Sequence, residues 1–166
     1  PKCDSRVIFE GELAIVIGRL CRDVPAERVH EVILGYTCAN DVTARDLQRS
    51  DGQWWRAKGF DTFCPLGPYL VTGLDLAQAG DLALTTRLDG EVVQQTRTAQ
   101  MVFDITRLVT HLSAAMTLLP GDVILTGTPE GVVDVKAGDE VVTEVEGVGR
   151  LMNTIVDDAA FHDGGV

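Results

Sequence analysis

In the segment RVIFEGELAIVIGR, residues 6 to 19, side chains two apart point the same way if the chain is extended. Leu13, Ile15 and Ile17 then line one face, while Glu10, Glu12, Ala14 and Val16 share the other. The pattern predicts a buried strand whose front end carries two like charges on one face. Pro25 opens a short helical stretch, AERVHEVI, as proline does near a helix start. LGYTCAND reads as a second strand ending in Asn40-Asp41, and VTARDLQRSD as a short polar helix or turn that Thr43 could cap. Pro65 and Pro68 make FDTFCPLGPYLVT an extended loop leading into a short strand. Trp54 and Trp55 are expected to pack.

Downstream, LALTTRLDGEVVQQTR holds two alternating strands around Asp89-Gly90, a preferred pair for a tight hairpin. FDITRLVTHLSAAMTLLPGD predicts the one long helix, with Asp104 as N-cap, Ile105, Leu108, Val109 and Leu112 at helical spacing, and Pro120-Gly121 as the stop. VILTGTPEGV, EVVTEVEG and GRLMNTIV complete the chain as strands joined by glycine-rich turns. Many strands around one long helix, without βαβ alternation, indicate an α+β fold with a mixed or antiparallel sheet system.

Charge then narrows the partners. The 166 residues carry 14 Lys and Arg against 25 Asp and Glu, a formal net charge of -11. Such a surface disfavours nucleic acid and anionic membranes, and no basic block overrides it. No apolar run approaches the ~20 residues that span a bilayer. Cys3, Cys21, Cys38 and Cys64 lack the spacing of a zinc ribbon or a disulfide framework, which points to reduced thiols and a cytoplasmic location.

Glu10 and Glu12 pose a chemical question. Adjacent carboxylates repel, and partial burial raises their pKa values unless something cationic stands between them. A divalent metal ion would relieve the conflict, and so would exposure at a frayed strand end. Asp41, ending the next strand, can face the same cavity. Three carboxylates form a hard oxygen site suited to Mg²⁺, Mn²⁺ or Ca²⁺ and poorly suited to zinc. The turn TGTPEG lacks the Gly-Lys-Ser/Thr ending of a phosphate-binding loop.

Four motifs add a resemblance. Glu-x-Glu in FEGELAIVIGR, GYTCANDVTARDLQ, RAKGFDTFCPLGP and TLLPGDVILTGTPEGV stand in the order seen in the fumarylacetoacetate hydrolase family. Over residues 5 to 156 the chain resembles that family's catalytic domain, notably in acylpyruvate and fumarylpyruvate hydrolases and hydroxyheptadienedioate isomerases. The resemblance implies a strand-rich mixed β-sheet roll with few helices. It implies Glu10, Glu12 and Asp41 as ligands of Mg²⁺ or Mn²⁺, with Ca²⁺ as a substitute. Lys58 would be catalytic beside the metal and touch the substrate, with Arg45 and Gln48 also at the substrate. Thr128 would meet the substrate carboxylate through its hydroxyl or its backbone amide. Many relatives carry Ser where this chain has Gly59. The family also carries, upstream, a water-activating His-Glu pair on a lid helix, and His30, His111 and His162 match no such motif. The chain opens at Pro1 and is expected to be a single catalytic domain, residues 1 to 166, that is N-terminally incomplete.

The implied reaction is metal-dependent hydrolysis of a C–C bond in 2,4-dioxo acids of acylpyruvate or fumarylpyruvate type. Water attacks the 4-carbonyl, the C3–C4 bond breaks, and a pyruvate enolate leaves, stabilised by the metal and Lys58. Oxaloacetate decarboxylation and 2-hydroxyhepta-2,4-diene-1,7-dioate isomerisation draw on a related enolate and stand as alternatives. A non-catalytic metal-binding fragment or subunit is a third. The expected partners are a small 2-oxo or 2,4-dioxo acid and, in a homodimer, a second copy of the chain.

Overall fold

The long first strand divides in two. In the computed structural model, which describes residues 6 to 157, Val7–Ile8 (β1) and Gly11–Ile17 (β2) lie in different sheets, with Phe9 and Glu10 between them. The cause is tertiary. The Glu10 N–H donates to Asn40 Oδ1 at 3.1 Å, and the Glu10 carbonyl accepts from the Asp41 N–H at 2.8 Å. These bonds turn the chain where its carboxylates begin.

The next strand, Ile33–Asn40 (β3), follows a 3₁₀ turn at Ala26–Glu31 whose N-cap is Pro25. A two-residue strand, Thr43–Ala44 (β4), leads into the helices Arg45–Ser50 (α1) and Trp55–Lys58 (α2). Thr43 does not cap α1: Ala44 occupies that position, and the Thr43 hydroxyl donates instead to the Asp41 carbonyl at 2.9 Å. Trp54 and Trp55 do not pack, being 56% and 78% exposed. Leu66–Val71 (β5) is the short strand after the proline loop, and its edge position tolerates Pro68.

Leu76–Ala79 (α3) is a single turn capped by Asp75. The hairpin forms as read, with Ala83–Leu88 (β6) and Glu91–Arg97 (β7) joined by Asp89 and Gly90 at φ 49° and 86°. Positive φ at both central positions suits Asp-Gly. Ile105–Ala115 (α4) starts at Asp104, whose carboxylate accepts from the Arg107 N–H at 2.7 Å. It ends short of Pro120, because Cys21 and Leu118 exchange two backbone hydrogen bonds of 2.9 Å and draw the chain out straight. Val123–Leu125 (β8), Asp134–Val135 (β9), Glu140–Val145 (β10) and Gly149–Thr154 (β11) complete the order.

Among the described residues three sheets result, in the orders β4-β1-β9, β11-β10-β6-β7 and β5-β3-β2-β8. Every strand pairing among the described residues is antiparallel. The two four-stranded sheets face each other. Leu13, Ile15 and Ile17 fill the space between them with Tyr36, Cys38, Leu84, Val145 and Leu151, and Ile105 and Val109 of α4 join the same core. Leu13, Ile15 and Ile17 are fully buried, each worth about 1.5–3 kcal/mol of hydrophobic stabilisation. With one face of β2 committed to this core, Glu12 is turned to the opposite side. No helix among the described residues is long and apolar enough to cross a membrane.

Candidate active site

The ends of β2 and β3 deliver the carboxylates. Gly11 pairs with Asn40 across the two strands, so Glu10, Glu12 and Asp41 converge beyond the last regular rungs. Each offers an oxygen within 4.8 Å of the others, and all three residues are buried. The short helix α2 brings Lys58 over them. Its ammonium donates to Glu10 Oε2 at 2.8 Å, to Asp41 Oδ2 at 2.5 Å and to Thr43 Oγ1 at 3.0 Å. Burial alone would lower the Lys58 pKa, but the hydrogen bonds to Asp41 and Glu10 outweigh it and hold the group above the ordinary lysine value.

Glu12 is the carboxylate Lys58 does not reach directly. Its Oε2 accepts from the Gly127 N–H at 2.5 Å. Burial pushes its pKa up to about 7; the Gly127 bond opposes this, and the charges of Asp41 and Glu10 add to it. At neutral pH the group is therefore poised between a proton and some other cation. The donor set of three buried hard oxygens fits Mg²⁺, Mn²⁺ or Ca²⁺, and fits zinc poorly.

Around the cluster, α1 places Arg45 and Gln48 one turn apart. Arg45 Nη1 donates to Gln48 Oε1 at 2.6 Å and stands 4.0 Å from Glu10 Oε1. On the other side the chain leaves β8 as the loop 126–129. The Thr128 hydroxyl donates to the Gly11 carbonyl at 3.0 Å and accepts from Gln94 Nε2 at 2.9 Å, so it faces inward. The Thr128 N–H has no hydrogen-bond partner among the described residues. Cys64, in the loop after α2, lies near enough for Asp41 and Glu12 to add to the burial that raises its thiol pKa.

The seven residues expected at the site are thus connected: Lys58 bonds Glu10 and Asp41, Arg45 stands between Glu10 and Gln48, and Thr128 follows Gly127, whose N–H is on Glu12. Sequence reasoning missed Asn40, Thr43 and Gln94. Asn40 and Thr43 lie inside the motif GYTCANDVTARDLQ and could have been taken with it. Gln94 sits in an ordinary hairpin strand with no comparable signal. His30 lies in the 3₁₀ turn and His111 in α4, both outside this cluster, and His162 lies outside the described residues.

Comparison with known proteins agrees with this architecture. The family described as Fumarylacetoacetate (FAA) hydrolase C-terminal matches residues 1–156. Protein Rv2993c of Mycobacterium tuberculosis is 57% identical over 156 residues, which cover 94% of this chain and 59% of that protein. The solved structure of a 5-carboxymethyl-2-hydroxymuconate delta-isomerase from Mycobacterium smegmatis is 61% identical, with a TM-score of 0.89 over 93% of this chain and 60% of that one. The mitochondrial oxaloacetate tautomerase Fahd2a of Rattus norvegicus is 44% identical over 164 residues, 94% of this chain and 52% of that protein. The chain therefore spans between half and two thirds of the length of these relatives.

Proposed function

Because the chain belongs to the fumarylacetoacetate hydrolase family, we propose that it acts on a 2-oxo acid by stabilising the enolate of that acid beside Glu10, Glu12, Asp41 and Lys58. The observation that carries this reading is the lysine ammonium locked onto two of three clustered, buried carboxylates. A divalent cation held by Glu10, Glu12 and Asp41, Mg²⁺ or Mn²⁺ with Ca²⁺ able to substitute, would supply Lewis-acid stabilisation of negative charge developing on the substrate. Three carboxylates and a dication leave one negative charge; Lys58 cancels it, and Arg45 makes the site attractive to an anion. Lys58 holds its proton firmly, and because its three N–H groups already donate to Glu10, Asp41 and Thr43, it would exchange one of these bonds for an enolate oxygen. Arg45, Gln48 and the Thr128 N–H are the groups positioned for a substrate carboxylate.

Two reactions use this machinery. In a 2,4-dioxo acid, water adds at C4, the C3–C4 electron pair moves to C3, and a carboxylic acid departs from the pyruvate enolate. In a proton shift, C3 loses a proton, the same kind of enolate forms, and a proton returns elsewhere to give a tautomer or double-bond isomer. The family description favours hydrolysis, whereas the identity to an isomerase and an oxaloacetate tautomerase favours the proton shift. We also read residues 1–166 as one cytoplasmic catalytic domain that pairs with a second copy, consistent with exposed Tyr69 and Leu70 on the edge strand β5.

The test offers oxaloacetate and an acylpyruvate to the purified chain, with Mg²⁺ or EDTA, and follows enol absorbance and pyruvate release separately. Pyruvate release from the acylpyruvate identifies the hydrolase, and accelerated loss of enol without release identifies the proton shift. Mg²⁺-dependent binding of the acids without turnover returns the non-catalytic alternative. If calorimetry detects no binding of any 2-oxo acid, the proposal fails.

A further inference from the structure

Gln94 ties the start of β2, where Gly11 stands between Glu10 and Glu12, to the loop that faces them. It belongs to β7, in the opposite sheet, and is 2% exposed. Its Oε1 accepts from the Gly11 N–H at 3.2 Å, while its Nε2 donates to Thr128 Oγ1 and to the Pro129 carbonyl, each at 2.9 Å. The Thr128 hydroxyl completes a closed ring by donating to the Gly11 carbonyl. Gly11 is the residue between Glu10 and Glu12.

The ring stands where the regular ladder fails. β8 pairs with β2 only as far as Ala14↔Leu125. Beyond that rung the Thr126 N–H and hydroxyl both donate to the Leu13 carbonyl, at 3.2 and 2.8 Å, and the Thr128 side chain takes over at Gly11. Gly11 allows the sheets to approach this closely, since a Cβ there would overlap Thr86 Oγ1. Removing the Gln94 amide would strand the buried Gly11 N–H, and an unpaired buried donor is costly.

We infer that Gln94 is a positioning residue that fixes Gly11, and through it Glu10 and Glu12, while turning the Thr128 hydroxyl inward so that the loop meets the site with its main-chain N–H groups. Gly127 N–H is already on Glu12, and Thr128 N–H is the donor left for a substrate carboxylate. This assignment rests on the 2-oxo acid reading above and refines it: the Thr128 hydroxyl is structural and its amide is the recognition group.

Two variants separate the ring's parts. Gln94→Glu keeps the acceptor for Gly11 and loses the amide donations, whereas Gln94→Met removes all three bonds. Hydrogen exchange by mass spectrometry in EDTA reads position without activity, and calorimetry reads Mg²⁺ alone and then pyruvate with Mg²⁺. Residues 126–130 should exchange about tenfold faster in both variants, the scale of one lost buried hydrogen bond, with α4 unchanged. Residues 9–12 should loosen only in Gln94→Met. The Kd for Mg²⁺ should rise about tenfold in Gln94→Met and that for pyruvate about tenfold in both. Uniformly faster exchange along the chain, or faster loop exchange with both affinities unchanged, would overturn the inference. Should Gln94→Met fail to fold, loop exchange and pyruvate affinity in Gln94→Glu decide. A wild-type chain that takes up no Mg²⁺ overturns the proposed function and this assignment together; Mg²⁺ and pyruvate binding that survives unchanged in the variants overturns this assignment alone.

Discussion

Replacing Glu12 by glutamine should abolish divalent-ion binding and yet, in EDTA, stabilise the chain at alkaline pH. The wild-type carboxyl is buried and its pKa is pushed up from 4.5 to about 7, with burial the first cause. Because the folded state binds this proton more tightly than the unfolded state, the contribution to stability is full below about 4.5 and is lost as pH rises toward 7. At about 1.36 kcal/mol per pH unit, the loss comes to roughly 3 kcal/mol. Glu12→Gln carries no such charge, and its side-chain oxygen can still accept from Gly127. Thermal unfolding followed by circular dichroism in EDTA should therefore give similar midpoints for both proteins at pH 5. At pH 8.5 the variant should melt about 6–12 °C higher, at roughly 2–4 °C per kcal/mol for a chain of this size. Mg²⁺ at about 1,000 times its Kd should then reverse the order by raising the wild-type midpoint alone, since a ligand in that excess adds about 4.1 kcal/mol. Parallel pH dependence of the two proteins in EDTA, or an equal response of both to Mg²⁺, would refute the reasoning.

Lys58→Met should keep a measurable Mg²⁺ isotherm while lowering kcat by about 10²-fold or more, the scale of one preorganised donor at a developing oxyanion; near-normal kcat would reduce Lys58 to a structural ion-pair partner. Leu13→Ala, on the core face of β2, should cost about 2–5 kcal/mol in urea unfolding. Its Mg²⁺ affinity measured well below the unfolding midpoint should be unchanged, and a loss of affinity there would show that the core face and the carboxylate face are not independent.

Local chemistry was legible in the sequence wherever a few adjacent residues decide the outcome. Asp89-Gly90 sets its own hairpin, Asp104 caps α4 from within the same turn, and alternation puts Glu12 opposite Leu13 and Ile15. What escaped depends on distant partners. The break at Glu10 requires Asn40, the early end of α4 requires Cys21, and Gln94 acquires its role only when β7 faces Gly11. Thr43 was misread for the same reason, since a hydroxyl beside a helix start resembles a cap until Lys58 and the Asp41 carbonyl claim it. The grouping of the carboxylates was legible in outline, because Glu-x-Glu opens one apolar run and Asn-Asp ends the next. Their mutual distance was not, as it depends on how two strands and two loops meet.

That meeting has a kinetic consequence. The bond from Gly127 to Glu12 joins residues 115 apart in the chain, and the bond from Thr128 to Gly11 joins residues 117 apart. Contacts of such long range are expected to close late in folding, because the entropy of closing long loops opposes their early formation. An ion gripped at this junction would meet a complete coordination shell only on the native side of the folding barrier. It would then slow the escape of the folded chain without hastening its arrival, since interactions absent from the transition state act on unfolding. The grip at the strand ends would thus lengthen the protein's lifetime more than it eases its birth.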